Sequence, residues 1–526
     1  MATASVPDFP PLTRDVAADA CVVGAGVAGL TTTYLLARNG LSVVVLDADD
    51  VGGAQTRRTT AHLSNAIDDR YTEIERIHGG RGARLAADSH TAAIDRIESI
   101  VAAEEIDCAF ERLDGYLFTA PDEPRDVLDR ELAAARRAGL GDVDFVPRAP
   151  LDDFDTGPCL KFPRQAQLHP LKYVAGLAQA VRRAGGGLFA GTRATAVRGG
   201  SDARVETAAG PTVSAGSVVV ATNSPVNDRL VIHTKQGPYL TYVIGLRVPR
   251  GGVRTALYWD TADPYHYVRL YTPPAGDGDA VLIVGGEDHR TGQATDQADR
   301  YDRLEAWARE RFPRAGEVAY RWSGQVLEPI DGLAFIGRNP LDAANVYVAT
   351  GDSGMGMTHG TIAGLLLTDL ILGRDNPWAE LYDPARRRVG AAGEYTRENA
   401  NVAGQYADWL ADGDGDSPSR IALGSGAVLR TGVLGKAAVY RDSQGALHAH
   451  SAVCRHLGCI LRWNDFEKTW DCPCHGSRFD PYGRVINGPA NSDLPPVGGA
   501  ATAATADRAG DRGDCLSAAR EWGGGR

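Results

Sequence analysis

Only eight cysteines occur in 526 residues, yet Cys454, Cys459, Cys472 and Cys474 fall in one short stretch. They sit in two segments, CRHLGC (454–459) and CPCHGS (472–477). Each segment offers a cysteine and a histidine close together, Cys454 with His456 and Cys472 with His475, and each carries a second cysteine. Thiolate and imidazole are a transition-metal donor pair. Zinc would use those four side chains and leave Cys459 and Cys474 without a task. Paired loops suit a [2Fe–2S] cluster better, with two cysteines on one iron and two histidines on the other. The spacing favours iron–sulfur, with zinc as the alternative.

A second chemistry begins at residue 18, in ADACVVGAGVAGLTTTYLLARNGLSVVVLDAD. It reads as strand, glycine turn, helix and second strand. Gly24-x-Gly26-x-x-Gly29 permits the tight turn, the approach of backbone amides to a pyrophosphate, and close helix–strand packing. The helix N-terminus then faces the phosphate charge. Asp47, at the end of the second strand, can accept hydrogen bonds from a ribose diol. GGGLFAG (185–191) runs into a strand, so a second nucleotide fingerprint of this kind is missing. This favours resident FAD over a pyridine-nucleotide reductase.

Near residue 345, NVYVATGDSGMGMTHGTIAGLLLTDLILG again reads strand, glycine loop, helix, with Gly351, Gly354 and Gly356 in the loop and the helix starting near Thr358. Such a helix N-terminus stabilises negative charge on a reduced flavin. Together with VVGAGVAGL, VVLDAD, SVVVATNSP (217–225) and DGLAFIG (331–337), this loop resembles the FAD enzymes of the D-amino-acid oxidase and glycine oxidase superfamily. The resemblance spans residues 18 to about 375. It implies FAD held by both end segments, with contacts at Thr59, Thr60, Met357 and Thr358 beside the glycines, and oxidation of a C–N bond. On YHYVRL, strand alternation puts Tyr265, Tyr267 and Arg269 on one face, where a guanidinium among aromatics could anchor a substrate carboxylate. A solvated surface arginine is the competing reading. Arg57, Arg58 and His62 lie where such proteins approach the flavin.

CRHLGC and CPCHGS, followed by GRVINGPA, resemble the Rieske domain of the cytochrome bc type. That resemblance implies cluster ligands Cys454, His456, Cys472 and His475, and a Cys459–Cys474 disulfide. It also implies that the Ser477 hydroxyl donates to a bridging sulfide and raises the potential. Phe479 departs from the pattern, because high-potential members carry a tyrosine there. A Rieske oxygenase would need a further facial set of two histidines and a carboxylate, and the histidines show no such pair on a helix.

The elements that position these residues follow from periodicity. The expected fold is an α/β, Rossmann-like FAD-binding domain of the glutathione-reductase type with an antiparallel-sheet substrate domain, plus a small all-β Rieske domain. The oxidoreductase would occupy 15–420, with FAD-binding segments near 15–70, 165–225 and 322–375. The substrate domain would take about 106–164 and 226–320, and a helical linker 376–420. The Rieske domain would take 421–497, and 498–526 reads as a disordered tail in which Cys515 is incidental.

A net charge of −12 gives no electrostatic case for nucleic acid or an anionic membrane. The longest apolar run, IAGLLLTDLIL (362–372), is too short to span a bilayer, and the N-terminus lacks a signal pattern, so a cytoplasmic protein is expected. The function that fits is a dehydrogenase of an amine or amino acid that drains FAD through the cluster to a one-electron partner, a ferredoxin, cytochrome or quinone-linked carrier. An oxygen-using oxidase with a structural cluster and a non-catalytic redox sensor are the alternatives.

Overall fold

Nearly unbroken apolar strands need cover on both faces, and the dinucleotide domain provides it. The computed structural model describes residues 4–497 except 122, 228–230, 275–277, 416 and 433–434. Val16–Val23 lies between Thr212–Val220 and Val43–Leu46, parallel to both, with Val23 level with Val220 and Leu46. Val346–Thr350 and Gly187–Phe189 extend this parallel sheet, and Phe335–Arg338 closes one edge antiparallel. Gly24, Asp47 and Ala221 therefore follow the carboxyl ends of three adjacent strands. In open α/β sheets that edge is where ligands bind. Helices Val27–Arg38 and Pro170–Arg183 bury their apolar sides on the sheet. The long helix Arg70–Ala103 is broken at Gly79, whose φ of 71° is non-helical.

The second sheet has nine strands. Its centre runs Val318–Pro329, Gln236–Val248, Ala280–Arg290 and His266–Tyr271, all antiparallel. Leu257–Asp260 then pairs with Glu111–Phe118 in parallel, which departs from the purely antiparallel sheet expected. Parallel neighbours need a long crossover, and the chain between these two strands contributes four strands and a helix to the dinucleotide domain before it returns. His62–Leu63 also joins this sheet, paired with Ala166 and Gln167. Helix Gln297–Arg311 covers one face, packing Tyr301, Leu304 and Ala308 on Tyr242, Ile244 and Leu282.

After helix Ala392–Gln405 the chain enters two small antiparallel sheets, Ser425–Arg430 with Lys436–Arg441 and Leu447–Ser451, and a four-stranded sheet from Arg462 to Asn487. Val428, Ala438, Leu461, Trp470 and Phe479 form their core. The preceding helix is tied down at its middle and just past its C-terminal end. Its buried Glu398 pairs with Arg290 of the large sheet. Just beyond the helix, Tyr406 Oη donates to Leu457 O (2.8 Å) and Trp409 Nε1 to Gly458 O (3.0 Å). The tail expected over 498–526, with Cys515, lies outside the described residues. Among the described residues, no helix is long and apolar enough to cross a membrane.

Candidate active site and cluster site

The two cysteine–histidine loops are closed by the same pair of backbone bonds. Cys454 N donates to Cys459 O (2.8 Å) and Gly458 N to Cys454 O (3.1 Å). In the second loop, Cys472 N donates to Ser477 O (2.8 Å) and Gly476 N to Cys472 O (3.1 Å). The matched geometry turns both loops toward each other. Cys454 and Cys472 are buried, and the His456 and His475 rings meet edge to face with centroids 4.9 Å apart. Cys459 and Cys474 form a disulfide, with Cα atoms 6.4 Å apart.

The sulfurs of Cys459, Cys472 and Cys474 lie within 4.8 Å of one another, but the disulfide removes two of them as metal ligands. The remaining set is two thiols and two imidazoles, and that donor chemistry fits a [2Fe–2S] cluster. The adjacent Cys472 thiol is the main cause holding Cys454 below the usual thiol range, with the His456 backbone and the Ser477 hydroxyl also contributing. Burial, and then His456, pushes His475 down to about 3. Ser477 Oγ accepts from Ala490 N (3.0 Å), and Phe479 is fully buried.

One neighbour of this site carries no sequence signal. His233, alone in VIHTKQ, is buried in a short 3₁₀ turn of the oxidoreductase part. Its ring stands 4.8 Å from that of His456 and 6.1 Å from that of His475. Its Nε2 donates to Pro225 O (3.2 Å).

At the carboxyl edge of the parallel sheet lies a cavity of about 310 Å³. Gly24 (φ +105°) shapes one end, where a Cβ would overlap the Ala221 carbonyl. Asp47 Oδ2 accepts from Ala25 N (2.6 Å), and burial raises the carboxyl to about 6. Gly24, Gly26, Asp47, Thr59, Thr60, Gly354, Gly356 and Met357 are all in the wall. A glycine cradle with a buried carboxylate beside it fits FAD.

Gly29, Gly351 and Thr358 are not in the wall. Gly29 instead packs the helix on the turn, since a Cβ there would overlap Gly24 O. The second-loop helix starts at Gly356, so Thr358 is already inside its first turn. Its hydroxyl bonds Met355 O (3.1 Å) and His90 Nδ1 (3.0 Å) behind the cavity.

Beyond the glycine loop the cavity continues between Trp259, Tyr265, Tyr267, His62 and Asp68. His62 has both ring nitrogens engaged, Nδ1 with Thr60 Oγ1 and Nε2 with Val268 O, each at 3.3 Å. Burial and then Arg269 push it down to about 3, so it is neutral. Arg269 corrects the expectation placed on it. Alternation does put it on the Tyr267 side of its strand, but two residues further along. There its Nη1 donates to Gln167 Oε1 (3.2 Å), it is 2% exposed, and it lies outside the cavity wall. Arg58 lines the wall and donates to Ser323 O (2.9 Å), while Arg57 pairs with Asp50 (3.7 Å) at the surface.

Asp68 was not singled out by its sequence context, NAIDDRY, which reads as a helix start. In the fold its Oδ2 would stand 2.6 Å from a Cβ on Gly354, and its carboxyl is hydrogen-bonded to Tyr265. Burial, and then the Asp69 charge, raises it to about 7.

Comparison with known proteins places both regions. Residues 19–370 match the family described as FAD dependent oxidoreductase, and residues 419–498 match the Rieske [2Fe-2S] domain. The protein YhfW of Bacillus subtilis (strain 168), whose name describes it as a Rieske 2Fe-2S iron-sulfur protein, is 32% identical over 93% of this chain and 95% of its own length. Gamma-glutamylputrescine oxidoreductase of Escherichia coli (strain K12) is 28% identical over 69% of this chain and 86% of its own. Among solved structures, glycine oxidase from Geobacillus kaustophilus superposes with a TM-score of 0.58 at 20% identity, covering 71% of this chain and 99% of that one.

Proposed function

The chain belongs to the FAD dependent oxidoreductase family and carries a Rieske [2Fe-2S] domain, and from that premise we propose that it oxidises a C–N bond of a small amine or amino acid and releases the electrons singly to an external carrier. When bound, FAD accepts a hydride and the [2Fe–2S] cluster exchanges one electron at a time. The cluster would be held by Cys454, His456, Cys472 and His475, and FAD by the Gly24–Gly26 turn, Asp47, Thr59, Thr60 and the Gly354–Met357 loop.

The observation that carries this reading is the shared position of Gln325. Its side chain is in the cavity wall, and its Nε2 donates to Gly476 O (2.9 Å), next to His475. Together with His233 against the histidine rings, this turns the histidine side of the cluster loops toward the oxidoreductase part. A structural cluster would have no need of that orientation. The carrier, a ferredoxin, cytochrome or quinone-linked protein, would then exchange electrons with an assembly whose cavity and cluster loops are bridged by Gln325.

The substrate compartment favours the amine end of the range. Three aromatic faces and a carboxylate suit an ammonium group, and the arginine expected to take a carboxylate lies past the edge of the cavity. In the reaction, Asp68 and Tyr265 would orient the nitrogen, and the neutral His62 would close the wall without competing for charge.

The test is anaerobic addition of candidate amines with flavin absorbance and cluster EPR followed together. Flavin bleaching with cluster reduction in step is expected. Substrate-dependent bleaching with the cluster still oxidised, and peroxide yield in air unchanged in Cys472→Ser, would sink the proposal in favour of an oxidase.

A further inference from the structure

The cavity wall is not confined to the oxidoreductase part. Residues Val485, Ile486, Asn487, Gly488, Ala490 and Asn491, all from the cluster domain, line it. This segment is fastened to the oxidoreductase part by its own hydrogen bonds. Asn491 Nδ2 donates to Ala194 O (3.0 Å), Arg193 Nη2 donates to Val485 O (3.4 Å), and Asn487 Nδ2 donates to Gln325 Oε1.

The segment covers a particular end of the cavity. Arg193 and Ala194 follow Thr192, whose N–H donates to Asp47 O (2.6 Å). Gly191 N likewise donates to Asp49 O (3.1 Å). Asn491 and Val485 are therefore bonded to the stretch of chain that pairs with the Asp47–Asp49 backbone, next to the residue that would accept from a ribose diol. At the mouth, Ile486 is 42% exposed although it lines the cavity. An isoleucine left open at the rim of a cofactor cleft is surface that a bound adenine or ribose would cover.

We infer that the Val485–Asn491 segment of the cluster domain is the outer wall of the FAD site against the adenosine half of the cofactor, so that FAD is held between the two domains. The cluster domain is then part of the flavin-binding machinery as well as a partner in electron exchange. The same segment reaches the cluster loop, because Ala490 N donates to Ser477 Oγ.

The experiment uses the full chain and reads FAD affinity, by fluorescence recovery on release, with cluster EPR recorded on each sample. Ile486→Glu places a charge beside an anionic dinucleotide at an exposed position, where folding does not depend on the isoleucine. Asn491→Ala removes one fastening bond. Leu447→Glu alters an equally exposed residue of the same domain outside the cavity. We expect FAD to bind about ten-fold or more weakly in Ile486→Glu, less so in Asn491→Ala, and unchanged in Leu447→Glu, with the cluster signal intact throughout. FAD affinity within about two-fold of the parent in both wall variants, or an equal loss in Leu447→Glu, overturns the inference.

Discussion

The cluster site and the flavin cavity are built on opposite plans. Every proposed cluster donor lies between Cys454 and His475, on two loops with identical closing bonds. The cavity wall runs from Val23 to Asn491 and depends on strand registers in two sheets and on a third, smaller domain. A site of the first kind is lost when a single ligand is changed. A site of the second kind is lost by packing errors at positions that touch no ligand.

The largest expected effect tests that contrast directly. Cys472→Ser should abolish the [2Fe–2S] EPR signal while FAD absorbance persists, since Cys472 takes no part in the cavity wall and the disulfide still joins the loops. Co-purification of the variant without FAD would show that the two sites are not separable. Gly29→Val is the reverse case. It touches no cavity, yet its side chain must enter the Gly24 carbonyl. Loss of FAD, with destabilisation of about 1–3 kcal/mol or more by thermal melting, is expected, and the cluster signal should survive.

Asp68→Asn comes next. A lost charge-assisted bond is worth about 1.5–3 kcal/mol, so KM for an amine should rise roughly 10- to 100-fold with kcat less affected. The sign with pH follows from the raised carboxyl. As pH falls through about 7, Asp68 takes up its proton and ceases to attract an ammonium group, so apparent affinity falls on the acid side. The groups acting on it are Asp69, Asp288, Tyr265 and Arg70. The variant should lack that limb of the KM profile, and an unchanged profile would remove Asp68 from substrate binding.

The smallest effect is expected at Phe479→Tyr. A hydroxyl donating toward a ligand sulfur withdraws electron density, so the midpoint potential should become more positive with FAD affinity unchanged. A potential no higher than that of the parent would contradict this.

The same contrast explains what could be read from the residues alone. CRHLGC and CPCHGS are local, so their spacing already carries their chemistry, and the structure brings those donors together. The Gly24–Gly29 turn is local too, and the Asp47 register follows from two adjacent strands. Arg269 and Asp68 were less legible for the same reason. Two-residue alternation gives the side of a strand but not how far the cavity extends along it, so Arg269 falls past its edge. Asp68 reaches Gly354 only through the fold, across nearly 290 positions of sequence. His233 had no pattern at all, and GRVINGPA marks Ile486 only as part of the Rieske resemblance, because their roles at the cavity and the cluster loops arise from domain packing.

The closeness of the Cys454 and Cys472 thiols, which hydrogen-bond each other, has a bearing on maturation. Four cysteines allow three pairings, and one of them joins Cys459 to Cys474 and Cys454 to Cys472. In a chain that has not yet received iron, an oxidant can therefore close a second disulfide beside the first and shut the metal out. Oxidation of the cluster-free chain would then compete with cluster delivery. Alkylation of cluster-free protein before and after mild oxidant should show the loss of two thiols, and iron–sulfur reconstitution should then fail until reductant is added.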